Sequence, residues 1–166
     1  MLFMDARGKV LTKQGARTVK AFAKTRESCL AFIGLRDNPK PGPAYARSLF
    51  FAELALGRLS FADAKKRAAA LEGLNRAQRT KIAVALVDLE YDGLAARRFK
   101  LKDAYAPKLL AMKQAGRIPS GQRGRPFWSA LLRYADQNKR DYEAFREETD
   151  DWRRHRKRPD STSASK

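Results

Sequence analysis

Cysteine, histidine and acidic residues are the scarce materials of this sequence. The single cysteine, Cys29, excludes an internal disulfide framework and a cysteine-based zinc site. The single histidine, His155, excludes a metal centre built on two or three imidazoles. Long apolar runs are missing too: the longest, 48–52 and 82–87, fall far short of the roughly 20 residues a membrane-spanning helix needs. The opening Met1-Leu2-Phe3-Met4-Asp5 lacks the basic stretch and long apolar stretch of a signal peptide. With one thiol and no export signal, the expected compartment is a reducing cytoplasm. No phosphate-binding glycine loop, dinucleotide fingerprint or nucleophile elbow occurs. A Cys29–His155 pair would need the histidine to return from a basic tail. Asp88 and Asp92 share one helix face beside Glu90, but a two-metal site needs more converging carboxylates. The expectation is therefore a non-enzymatic protein with no catalytic residues, cofactor or metal.

Positive charge is what the sequence has in excess. Thirty-six Lys and Arg stand against 18 Asp and Glu in 166 residues, a formal net charge of +18. Such a balance favours a polyanionic partner. Apolar residues make up 43% of the chain, enough for a packed core.

The pattern predicts an all-α fold of five or six helices with a small N-terminal hairpin or arm. In the arm, two short apolar segments flank Asp5-Ala6-Arg7-Gly8. A helix is expected over 13–35 with Thr12 as its N-cap. The run from Asn38 to Pro43 breaks it, since three prolines and a glycine cannot be helical. Further helices are expected over 44–56, from Ser60 to about Glu72, from Asn75 to about Asp92, and over 102–115. The apolar centre Ile82–Val87 marks the helix from Asn75 as the most buried. Residues 117–126 read as an open basic loop. A long helix is expected over 126–158, and a disordered tail over 159–166. The expected domains are thus a helical core with its arm, 1–125, followed by that helix and the tail.

Four basic features are candidates for binding an anion. On the first helix Lys13, Arg17, Lys20 and Lys24 fall within about 60° of one another, opposite Val19, Phe22, Ala23, Leu30 and Ile33. Like charges in a row repel unless an anion lies along them. Arg97, Arg98, Lys100 and Lys102 cluster around Phe99, and Arg117, Arg123 and Arg125 lie in the glycine-containing loop before Phe127 and Trp128. Arg153, Arg154, Arg156, Lys157 and Arg158 form the fourth group, at the end of the last helix. The acids Glu147, Glu148, Asp150 and Asp151 beside it are read as local partners.

A fifth candidate is a helix-turn-helix at 60–87. Ala68-Ala69 and Gly73-Leu74-Asn75-Arg76 resemble the turn of Fis-type DNA-binding proteins over residues 67–82. Glu72 and Arg79 depart from that pattern. The resemblance implies that Arg76, Gln78 and Arg79 approach the nucleic acid.

The last helix also carries a 3,4-spaced seam, Trp128, Leu131, Ala135, Asn138, Tyr142, Phe145, Thr149 and Trp152. Trp128, Tyr142, Phe145 and Trp152 are candidates for binding a partner or a second copy of the chain. The expected function is nucleic-acid binding, with DNA ahead of RNA. The alternatives are an adaptor or inhibitor that grips an acidic protein through the last helix, an RNA- or ribosome-associated factor, and a peripheral protein on an anionic membrane.

Overall fold

A computed structural model describes residues 1–13, 18–138 and 142–156, with residues 155 and 156 described by their backbone alone. The chain divides into two compact units, Met1–Gly93 and Leu94–Lys166.

The first unit opens with the expected hairpin. Strand β1 (Leu2–Met4) pairs antiparallel with β2 (Val10–Lys13), Leu2 opposite Lys13 and Phe3 opposite Thr12. Asp5 makes the turn. One of its carboxylate oxygens accepts from the backbone N–H of Arg7 and of Lys9, and Gly8 supplies the left-handed residue at φ 74°. The strand reaches Lys13, so Thr12 does not cap a helix; its hydroxyl donates to the Leu56 carbonyl instead. The β-branched Val10 and Thr12 suit that extended backbone. Helix α1 begins later, at Val19, runs to Asp37 and is capped by Thr18.

Helix α2 (Pro43–Ala55) follows the proline-rich loop, with Pro43 at its first turn. Helix α3 (Phe61–Ala69) is capped by Ser60, and α4 covers Arg76–Ala96. Two apolar clusters hold the unit together. Leu11, Cys29, Phe32 and Leu56 join the hairpin to α1 and α2. Phe50, Leu59, Ala64 and Ile82 join α2, α3 and α4. Cations reinforce the first cluster: Arg58 lies 4.8 Å over the Phe32 ring and donates to the carbonyls of Val10 and Leu11.

Two expectations fail here. Helix α3 stops at Ala69 rather than near Glu72. The Arg47 guanidinium takes the Glu72 carbonyl at 2.7 Å, while Leu71 and Leu74 turn into the second cluster, so 70–75 forms a loop. Nor is α4 the most buried helix. Of its apolar centre only Ile82 is buried, and Ala83 and Val84 are exposed.

The second unit holds one helical turn, α5 (Arg98–Leu101), then α6 (Tyr105–Gln114), α7 (Gly124–Gln137) and α8 (Tyr142–Arg156). Helix α6 packs on α7, and α7 on α8. Residues 94–125 therefore belong with the C-terminal helices rather than with the hairpin. Gly121–Arg123 forms a short 3-10 turn that leads into α7, which starts ahead of Pro126. The expected 126–158 helix is two helices, since α7 ends at Gln137 and α8 starts at Tyr142. That break raises the count to seven helices of nine residues or more among the described residues. Helix α7 is the most buried, with Gly124, Phe127, Trp128, Leu131 and Ala135 turned inward at spacings of three and four. The tail 159–166 lies outside the described residues.

Candidate nucleic-acid interface

The structure sorts the basic residues into those used by the fold and those left to solvent. Arg36 donates to Asp5 at 2.6 Å and to its neighbour Asp37 at 2.7 Å. Arg67 pairs with Glu53, and Lys81 lies 5.2 Å over the Phe51 ring. Lys113 pairs with Glu148 at 2.9 Å and lies 4.4 Å over the Phe145 ring. Such residues cover apolar surface with their stems and hold the elements together.

The stripe expected on the first helix is only partly assembled. Lys13 is exposed at the end of β2, outside any helix, and Arg17 lies outside the described residues. Lys20 and Lys24 do share the exposed face of α1, one turn apart, with Arg26 also exposed. None of these three has a carboxylate partner among the described residues. Of the apolar residues expected opposite them, Ile33 packs against the first cluster, but most of the others are not the buried face. Val19 is 86% exposed, and Ala23 and Leu30 face solvent as well. Cys29 and Phe32 point inward in their place, because the hairpin and α2 pack on α1 from that side.

Arg76 and Arg79 stand exposed in the first turn of α4. That turn is fixed by a reciprocal cap: Gln78 N–H donates to Asn75 Oδ1 at 2.8 Å and Asn75 N–H donates to Gln78 Oε1 at 3.0 Å. With α3 ending early, the two helices are joined by a loop and not by the compact turn of the Fis-type motif. Lys65 and Lys66 on α3 are further exposed cations with no ion pair among the described residues. Nothing in the sequence singles them out, since two adjacent lysines on a short helix carry no spacing signal of their own.

In the second unit Arg98 and Lys100 are exposed on α5, and Lys102 follows at φ 45°. Arg97, Arg117 and Arg123 make contacts within the protein, and Arg117 and Arg123 are half-buried. Arg125 is exposed in the first turn of α7. Arg153 and Arg154 pair with Asp150 and Asp151 at 2.9 and 2.6 Å, the local pairing that their spacing implies. The side chain of Arg156, and Lys157 and Arg158 entire, lie outside the described residues.

The candidate partner residues are mostly spent on the unit's own interior. Trp128 is 2% exposed, Phe145 is buried, and Trp152 lies against Gly124. Tyr142 alone among them is exposed. The 3,4-spaced seam thus marks the buried faces of α7 and α8.

Helix ends carry the electrostatic signature of the site. A helix N-terminus is the positive end of its dipole, so acids are favoured there and cations opposed. Helices α3 and α8 follow that rule, with Asp63 and Glu143 in their first turns. Helices α1, α4 and α7 reverse it. None has an acid in its first turn, and each carries a cation there: Lys20, Arg76 with Arg79, and Arg125. In each, exposed cations stand at the positive end of the helix dipole with no acid of the same turn to offset them.

Among the described residues no three His, Cys, Asp or Glu side chains gather as a metal site. Among the described residues no helix is long and apolar enough to cross a membrane. None of the protein-family models, curated proteins or solved structures compared with the chain matches it.

Proposed function

We propose that the protein is a non-enzymatic nucleic-acid-binding protein, with DNA as its main ligand, that grips the phosphate backbone through cations at helix starts. The observation that carries this reading is the reversed charge at the N-termini of α1, α4 and α7. Each would be more stable with an acid in that turn, by about 0.3–1 kcal/mol. Bound phosphates relieve the repulsion and release counterions from the nucleic acid. Arg76 and Arg79, at the start of a capped helix, suit the edge of a major groove and favour DNA over RNA. A cytoplasmic location is part of the same proposal.

A salt titration tests it, with labelled duplex DNA, single-stranded DNA and structured RNA side by side. Engaging about six phosphates or more gives a log–log slope of roughly −5 or steeper. Lys20→Gln and Arg76→Gln should each make the slope about one unit shallower on every sequence tested. Weak binding, alike on all three at about 150 mM salt, would overturn the reading and turn attention to an acidic protein partner.

A further inference from the structure

The aromatics that the sequence sets beside a basic loop, Phe127 and Trp128, are both in the core of the second unit. The aromatic left outside is Phe99, 78% exposed, in the single helical turn α5. Its one ring contact among the described residues is with its neighbour Arg98, whose guanidinium carbon lies 4.6 Å from the ring centroid. Lys100 and Lys102 follow at once, exposed and without a carboxylate partner among the described residues. Asp103 is the one acid in 97–105. Lys102 is also the one non-glycine residue with positive φ among the described residues, at 45°, and the backbone leaves the helix there. Strain of this kind persists where the surroundings hold it, and it concentrates at binding segments. A large aromatic ring kept in water, with a guanidinium stacked over it and cations along the chain, is the arrangement that binds unpaired bases.

We infer that residues 97–102 form a stacking site for an unpaired base of a nucleic-acid strand, which rests on the nucleic-acid reading above and narrows its ligand to DNA with a single-stranded stretch. Phe99 takes the base on its open face. Arg98 holds the ring from the other side, and Lys100 and Lys102 meet the neighbouring phosphates. A duplex keeps its bases stacked on one another and offers Phe99 no face to cover. A lipid surface fits less well. Even a whole myristoyl chain binds membrane only marginally, and the unit's other exposed large apolar side chains, Ile118 and Tyr142, lie on other segments.

The test uses the full-length protein with labelled oligothymidylate, oligouridylate, a duplex of equal length and phosphatidylserine vesicles. Phe99→Ala should weaken oligothymidylate binding by roughly fivefold to a hundredfold, with the salt slope and the duplex affinity unchanged. Phe99→Trp should restore the affinity, and Phe99→Leu, apolar but without a π-face, should not. Since Phe99 is exposed, none of these changes should alter the circular dichroism spectrum. Unchanged oligothymidylate binding in Phe99→Ala overturns the stacking site while the salt-dependent duplex binding still stands. Full affinity in Phe99→Leu also overturns it, because burial alone would then suffice. Loss confined to vesicles reassigns the residue to a membrane and overturns it. Tighter, Phe99-dependent binding of oligouridylate supports the site and moves its strand from DNA to RNA. A parent protein that shows no salt-dependent binding to any of the nucleic acids overturns this inference and the reading it rests on together.

Discussion

At the scale of single residues, Asp5 ties the hairpin to α1. The Arg36 guanidinium, first of all, and the backbone N–H groups of Lys9 and Arg7 hold its carboxyl below the usual range, against the pull of burial. A carboxyl whose folded pKa is depressed stabilises the fold fully above its unfolded pKa, about 3.9. That contribution is lost as pH falls through the lower folded value. Asp5→Asn should therefore lower Tm at pH 7, and the gap to the parent should close below about pH 4. A gap that stays constant to pH 3, followed by circular dichroism, would remove the ion pair from this account. Cys29 behaves oppositely. Burial pushes its thiol up, against the charge of Arg58, and the side chain is 4% exposed. Labelling by maleimide should be slow in the native protein and rise with denaturant in step with unfolding. A native rate equal to that of a free thiol would contradict the burial. Gly124 has no room for a Cβ, which would meet the Trp152 indole closer than real Cβ contacts come. Gly124→Ala should destabilise the fold on its own but cost little more in a Trp152→Ala background, a non-additivity that a double-mutant cycle measures.

Among the helices, burial parts company with local hydrophobicity. Val84 stands in the most apolar stretch of α4, yet it faces solvent. Leu131 stands in α7, where polar residues alternate with apolar ones at helical spacing, and it is fully buried. Val84→Ala should change stability by no more than about 0.5 kcal/mol, whereas Leu131→Ala should cost about 2–5 kcal/mol. Urea unfolding of the two variants compares them directly; equal costs would mean that the exposed side of α4 is covered in solution. The start of α4 carries its own prediction. Asn75→Ala removes one half of the reciprocal cap and should cost about 1 kcal/mol, without weakening nucleic-acid binding as Arg76→Gln does.

For the whole molecule, the excess of 18 positive charges is not all available to a ligand. Arg36, Arg47, Arg58, Arg67 and Lys113 bind carboxylates, carbonyls or rings of the protein itself. The charge left for a ligand is the remainder, led by Lys20, Lys24, Arg76, Arg79, Lys100 and Arg125, which are exposed and have no ion pair among the described residues. A salt slope should follow that smaller number. Neutralising a framework residue such as Arg67 should lower stability and leave the slope unchanged.

Much of the secondary structure was legible in the chain, because its signals are local. Asp5 and Gly8 make a turn wherever they stand in this spacing, Ser60 and Asn75 cap helices, and Pro43 starts one. The 3,4-spaced seam correctly marked most of the inward residues of the C-terminal region, Trp128, Leu131, Ala135, Phe145 and Thr149. Its continuity suggested one helix, since periodicity does not reveal a break that falls in phase with the seam. What only the tertiary structure decided is which face looks inward. Helix α1 has apolar residues on several sides, and its packing partners chose Cys29 and Phe32 over Val19 and Leu30. The same holds for the binding surface. A cation counts toward a ligand only when no carboxylate, carbonyl or ring of the fold claims it. An aromatic side chain counts only when the core does not. Both are outcomes of long-range packing: sequence spacing sets which residues share a face, and contacts between distant segments set whether that face meets protein or water.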